Sequence, residues 1–274
     1  METNILLPNP PKVIKKGDNR AIFEIENCYP GYGMTLGNAL RRVLLSSLPG
    51  AAIVGIKIKG VSHEFSTIPY VLEDVIQIIL NLKQIRFKLY TDEPVKLTLK
   101  TKGEKEVKAS DIKLTSDAEI VNKDAHIATL TDKKAELEME IEVEKGLGYV
   151  PVEQRKKEKL SVGYIAVDAI FSPIKKVNYE IENMRVGDRT DFNRLKVDIE
   201  TDGSITPEEA FQKAVNILVD CFKVLIEEER IEKKETSSAK AKRSSDSKKK
   251  IKKAPQQKTV KKKQAKTKKT TKKK

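Results

Sequence analysis

Residues 31–49 read GYGMTLGNALRRVLLSSLP, and the fold turns on how this stretch is understood. It follows residues 20–27, where Ile22, Phe23 and Ile25 stand among charges in the alternation of a strand. Pro30, Gly31 and Gly33 break that strand. Thr35 is placed to cap a helix running to about Leu48, where Pro49 and Gly50 stop it. Leu36, Ala39, Leu40, Val43, Leu44 and Ser47 recur at i, i+3 and i+4 and make one broad, mainly apolar face. Arg41 and Arg42 point away from its centre. The glycines first suggest a phosphate loop, since they follow a strand and open a helix. Their spacing is GxGxxxG, one residue too long for the pyrophosphate-binding form. The chain also lacks the regular strand–helix alternation of a doubly wound sheet. The glycines are therefore read as permitting a tight strand-to-helix turn, and no cofactor is expected.

Outward from this stretch, residues 52–58 form another strand, and residues 69–83 a second amphipathic helix. Residues 86–144 turn to short strands with charged turns: VKLTLKT, DIKL, AHIATL and the alternation AELEMEIEVE. Such alternation suits sheets with one face in water. A loop over residues 146–163 carries the basic run RKKEK, and residues 164–171, 175–182 and 195–200 supply further strands. Thr206-Pro207-Glu208-Glu209 joins a capping box to a proline at the first helical position, opening a helix to about Arg230. Its apolar stripe, including Phe211, Val215, Leu218, Phe222 and Leu225, is wider than one neighbouring sheet needs. The surplus points to a partner helix from a second copy of the chain.

Charge divides the 274 residues sharply. Residues 233–274 hold 20 Lys or Arg against 2 acids, a net +18, which leaves −4 for residues 1–232 out of the whole chain's +14. The basic character belongs to this tail alone. Ile251 and Val260 are its only large apolar residues, too few to offset the entropy of ordering, so disorder is expected. A solubilising extension or a repelling spacer is one reading of the tail. The favoured reading is nonspecific attraction to DNA or RNA, since so many cations displace condensed counterions. With one arginine and no aromatics it has little means of stacking on bases.

Catalytic and metal chemistry find little support. Cys28 and Cys221 lie far apart without metal-site spacing, and a reduced cytosolic pair is expected. His63 and His126 stand apart from each other and from any nucleophile motif. Glu73 and Asp74 suit a solvated or interface role better than an acid/base pair. No segment approaches about 18 uninterrupted apolar residues, so no membrane span is expected and the location is read as cytoplasmic. Arg41 and Arg42 leave two readings open: a solvated helix edge, or the planar, fork-shaped anchor of a protein interface.

Five blocks in order resemble the α subunit family of bacterial DNA-directed RNA polymerase. They are GYGMTLGNALRRVLLSSLPGAAI, GVSHEFSTIPYVLEDVIQIILNLK, GLGYVPVEQ, VDAIFSPIKKVNYEIE and VGDRTDFNRLKVDIETDGSITPEEAFQKAVNIL. Together they cover about residues 15–230. The resemblance implies an α+β fold with a discontinuous dimerisation subdomain, residues 1–50 and 178–232, its helices on an antiparallel sheet. A β-rich subdomain, residues 51–177, is inserted, and the tail follows. It implies a non-catalytic subunit of a nucleotidyltransferase that dimerises and then gathers the β and β′ subunits. By the same resemblance Arg41, Arg42, Gly37, Asn38 and His63 would dock β. Pro173, Arg185 and Arg189 would dock β′. Leu36, Leu40, Val43, Leu44, Phe211, Val215, Leu218 and Phe222 would form the dimer interface. The implied location is the bacterial cytoplasm, at the nucleoid. Two departures stand out. The lysine tail occupies the place of the family's small helical C-terminal domain, and Leu147 stands where many relatives carry a basic residue.

Overall fold

The computed structural model describes residues 5–155 and 163–226. Strands β1 (Lys12–Lys16) and β2 (Arg20–Cys28) lead into helix α1 (Tyr32–Ser46), then β3 (Pro49–Ile58) and the short helix α2 (Val75–Leu82). Next come β4 (Phe87–Leu89), β5 (Val95–Lys102), β6 (Lys105–Lys108), β7 (Ile112–Lys113), β8 (Ala118–Ile120), β9 (His126–Leu130) and β10 (Glu136–Leu147). The last strands are β11 (Tyr149–Val150), β12 (Tyr164–Ala166), β13 (Ala169–Ile170), β14 (Ile174–Val186) and β15 (Arg189–Thr201). The chain divides into two compact units, residues 1–221 and 222–274. Of the second, only helical residues 222–226 are described, and Phe222, Val224, Leu225 and Ile226 there are exposed. Within the first unit a third helix, α3, spans residues 207–221. Helices and antiparallel strands occupy separate stretches, which makes the fold α+β.

The first unit holds two large apolar cores. One lies between a four-stranded antiparallel sheet, ordered β1-β2-β15-β14, and helices α1 and α3. Alternation in β15 sends Leu195, Val197 and Ile199 into it and leaves Arg194, Lys196 and Asp198 on the opposite face. Leu40, Leu44 and Leu48 meet them from the α1 side, and Phe211 stacks on Phe23 with ring centroids 4.6 Å apart. The other core is built by residues 53–167 around a seven-stranded sheet, ordered β7-β5-β10-β3-β4-β8 with β12 also on β3. Its central strand β10 buries Leu137, Met139, Ile141 and Val143, while Glu138 on the other face pairs with Lys59 and Lys100. Arg86 reaches from the second core's strands to Asp202, 3.9 Å away, beside the turn before α3.

Several local expectations shift. Helix α1 begins at Tyr32 rather than after Thr35, because Gly31 takes φ +84° and serves as N-cap without any side-chain cap. That left-handed conformation suits glycine, and the Gly31 N–H donates to Asn193 Oδ1 at 2.9 Å, pinning the helix start to β15. The second helix is shorter than residues 69–83. Asp74 and Gln77 form a capping box that starts it at Val75, and Leu72 N–H donates instead to Thr129 in β9. Strand β10 continues through Gly146 and Leu147, which were expected to begin a loop. Residues 156–162, including most of RKKEK, lie outside the described residues, as does the tail. At α3 the expected cap is present: Glu209 N–H donates to Thr206 Oγ1 at 3.3 Å.

Gly37 explains why α1 can sit so close to the sheet. A Cβ there would lie 2.7 Å from Tyr179 Cδ2 and 3.0 Å from Leu195 Cδ1. Alanine in a helix interior normally gains about 1 kcal/mol over glycine. Overpacking at this contact costs about 1–3 kcal/mol and outweighs that gain. Gly37→Ala is therefore expected to lower the urea midpoint of the full chain; an unchanged or raised midpoint would contradict the close approach.

Candidate functional site

The outer face of α1 is a continuous stripe at i, i+4, i+7/8 and i+11. Met34 (63% exposed), Asn38, Arg41, Arg42 and Leu45 (38%) lie along it. The inner face is fixed by the first core, so these side chains stand on a rigid platform. Neither Arg41 nor Arg42 has a guanidinium hydrogen bond, ion pair or ring contact among the described residues. The other described arginines are all engaged. Arg20 holds Asp198 with two hydrogen bonds, Arg86 faces Asp202, Arg155 donates to the carbonyls of Val54 and Val167, and Arg185 donates to Gly187. Arg189 holds Asp191 through two hydrogen bonds, and Arg194 lies among Glu24, Glu26 and Glu182 at 3.6–3.7 Å. The opposite face of the four-stranded sheet is thus a network of paired charges. The α1 stripe instead offers two unpaired cations between apolar ends, the chemistry of a carboxylate-receiving protein surface.

The other expected docking residues separate. Gly37 is buried against Tyr179 and Leu195, where it positions α1. Asn38 is exposed on the stripe. His63 is exposed in the turn before α2, its Nδ1 3.1 Å from Ser66 Oγ, two residues before the exposed Phe65 (77%). Pro173 is buried just before β14, where its carbonyl accepts from the Asp202 N–H. Arg185 and Arg189 lie at the other end of this strand, about 40 Å away at strand rise. There Arg189 packs over Tyr29 and Phe192, with 5.6 and 5.2 Å to the ring centroids.

The apolar set also divides. Leu40, Leu44 and Phe211 are 5%, 0% and 7% exposed and pack in the core of the single chain. Leu36, Val43, Val215 and Leu218 are half-buried and keep area at the rim of that core. Phe222 is exposed in the second unit.

Sequence reasoning missed two features. Asn193, buried in β15, carries the hydrogen bond that starts α1; a lone asparagine in an alternating strand gives no such signal. Leu72, Ile76 and Leu80 repeat at i+4 and stay exposed along α2 and the turn before it. Their spacing was visible as amphipathicity, but it could not tell the inner face from an equally apolar outer one.

The remaining chemistry-bearing residues are dispersed. His126 lies between Glu73 (2.9 Å) and Glu106 (3.2 Å), and burial pushes the Cys28 thiol up. Among the described residues no group of three or more His, Cys, Asp or Glu could hold a metal ion, and no helix is long and apolar enough to cross a membrane.

Comparison with known proteins adds to this geometry. A family model described as the RNA polymerase Rpb3/RpoA insert domain matches residues 56–172. A protein of Roseiflexus castenholzii called DNA-directed RNA polymerase subunit alpha is 48% identical over 228 residues, 83% of this chain and 70% of that one. One of the same name from Symbiobacterium thermophilum is 50% identical over 214 residues, covering 78% and 68%. A third, from Desulfitobacterium hafniense, is 52% identical over 206 residues, covering 75% and 65%.

The paired face sets an acid response. Arg20 holds Asp198 below its ordinary value, Lys12 does the same for Glu26, and Lys196 for Glu182. Depressed carboxylates stabilise the fold above their ordinary values near 4 and lose that contribution as pH falls through the folded values. Urea midpoints should therefore hold above about pH 5 and decline below about pH 4, with a shallower decline in Arg20→Gln. Equal slopes in the two proteins would remove Asp198 from the account.

Proposed function

Because the chain belongs to the family of DNA-directed RNA polymerase α subunits, we propose that it is the non-catalytic scaffold of a transcribing nucleotidyltransferase, dimerising and then gathering the β and β′ subunits. The observation that supports this reading is that Arg41 and Arg42 are unpaired among the described residues, on a helix whose other face is locked in a core. Free guanidiniums on a rigid, partly apolar face suit capture of carboxylates on a large partner. Arg42, with Arg41 and Asn38, receives β, and His63 extends that surface. Arg185 and Arg189, at the tip between β14 and β15, receive β′.

Dimerisation draws on the half-buried rim of the first core: Leu36 and Val43 on α1, Val215 and Leu218 on α3. A second copy would complete their burial, at about 25 cal/mol for each Å² of apolar area removed from water. In this reading the chain supplies position and no reacting group. Residues 1–50 with 178–232 form the dimerising part and residues 51–177 the inserted one. The two cores, drawn from residues 21–48 with 174–214 and from residues 53–167, support a division of this kind, with Ile174 and Val177 on the side of the first core. The protein works in the cytoplasm beside the nucleoid. Its tail, residues 233–274, adds nonspecific attraction to nucleic acid through its net +18.

Two measurements test this. Arg42→Ala should still form dimers by sedimentation equilibrium, yet lose about tenfold or more of β capture in co-purification, as for an interface anchor worth at least ~1.4 kcal/mol. Normal β capture would refute the docking role. For the tail, deleting residues 233–274 should weaken binding of the assembled complex to random-sequence DNA and flatten its dependence on salt. Equal affinity at low salt with and without the tail would end the electrostatic role.

A further inference from the structure

An apolar patch adjoins the α1 stripe at its C-terminal end. Strands β11 and β13 pair with Val150 opposite Ala169 and Tyr149 opposite Ile170. Ala169 is buried with Phe171 against Ala52 and Val54, and Val150 packs on the same cluster. The alternate pair, Tyr149 (57% exposed) and Ile170 (43%), therefore faces water. Leu147, at the end of β10, is 55% exposed beside it. This ribbon abuts the end of α1. Ser172 Oγ donates to the Leu45 carbonyl at 3.3 Å, and Phe171 N–H donates to the Gly148 carbonyl at 2.8 Å. Leu45 itself lies one turn beyond Arg41 and Arg42 on the same helix face.

A ribbon that only faced solvent would alternate apolar inside with polar outside. Cross-strand packing of Tyr149 on Ile170 would steady the ribbon. It would not require Leu147 and Leu45 to be exposed alongside.

We propose that Leu45, Leu147, Tyr149 and Ile170 form the apolar half of a docking surface whose polar half is Arg41 and Arg42. It takes a segment of the large partner subunit that presents bulky apolar side chains flanked by carboxylates. Charge decides the occupant at the α1 end of the patch. Arg41 and Arg42, unpaired among the described residues, select a segment with carboxylates at that edge and disfavour a second copy bringing its own arginines there. Asp168 borders Tyr149 at the far end. The inference rests on the reading of Arg41 and Arg42 as the β-docking anchor.

The test uses the full chain co-expressed with the β subunit. A double variant, Tyr149→Thr with Ile170→Thr, keeps β-forming residues in the ribbon. It should lower β capture tenfold or more, with dimer fraction and thermal midpoint unchanged. Wild-type capture by this variant, with capture lost in Arg42→Ala, overturns the patch and leaves the docking reading standing. Normal capture in both variants overturns the docking reading together with the patch. Loss of the dimer in the folded double variant also overturns the proposal, since the patch would then join two copies. If the double variant does not fold, Leu147→Gln at the strand end carries the same expectation, and undiminished capture by it counts against the patch.

Discussion

Everything on the α1 side of the molecule depends on one close contact, the seating of Gly37 against Tyr179 and Leu195. Without a side chain at this position the helix axis can approach β14 and β15 closely enough for Leu40 and Leu44 to reach the core. The Gly31 hydrogen bond to Asn193 then fixes where the helix starts. Rotation and axial position are both set from the inner face. The outer face consequently points Arg41 and Arg42 away from the sheet, whose acids stand on its opposite side. That they are unpaired among the described residues follows from packing elsewhere.

Electrostatics separates the two faces of this layer. On the far side of the sheet Arg194 is shared among three carboxylates, while Lys12, Lys196 and Arg20 each neutralise an acid. Such exposed pairs contribute modestly to stability. Their larger effect is to leave that side electrically quiet. The solvent side of the seven-stranded sheet follows the same plan, with Glu138 between Lys59 and Lys100. Against two quiet faces, the helix stripe is a distinct electrostatic feature of the described surface.

Much of the architecture was legible in residue order. Strand alternation in AELEMEIEVE, the capping signal at Thr206 and the apolar period of residues 36–48 each reflect a local rule acting on neighbouring residues. What was illegible depended on residues far apart. The true start of α1 needed Asn193, and the early part of the expected second helix was lost to hydrogen bonds with Thr129 in β9. Among the site residues, Arg41, Arg42 and Asn38 could be placed because helical phase alone puts them outside. Leu40, Leu44 and Phe211 could not, since helical phase shows an apolar face without showing whether a sheet of the same chain or another molecule covers it. For Pro173 and Gly37 a motif marks the residue as notable, and only the fold shows that it is buried.

Strand β2, near the beginning of the chain, pairs with β15, some 170 residues later. During synthesis the residues of the second core leave the ribosome as one uninterrupted stretch and can fold as they emerge. The first core cannot close until β14, β15 and the start of α3 have been made, and contacts so remote in sequence form slowly. Until then α1 has no sheet to lie on, and its arginines have no platform. A truncated or stalled chain therefore carries the whole of α1 in its sequence without displaying the face that a partner would grip. The order of translation thus sets when the α1 face can form: only after β14, β15 and the start of α3 have been made.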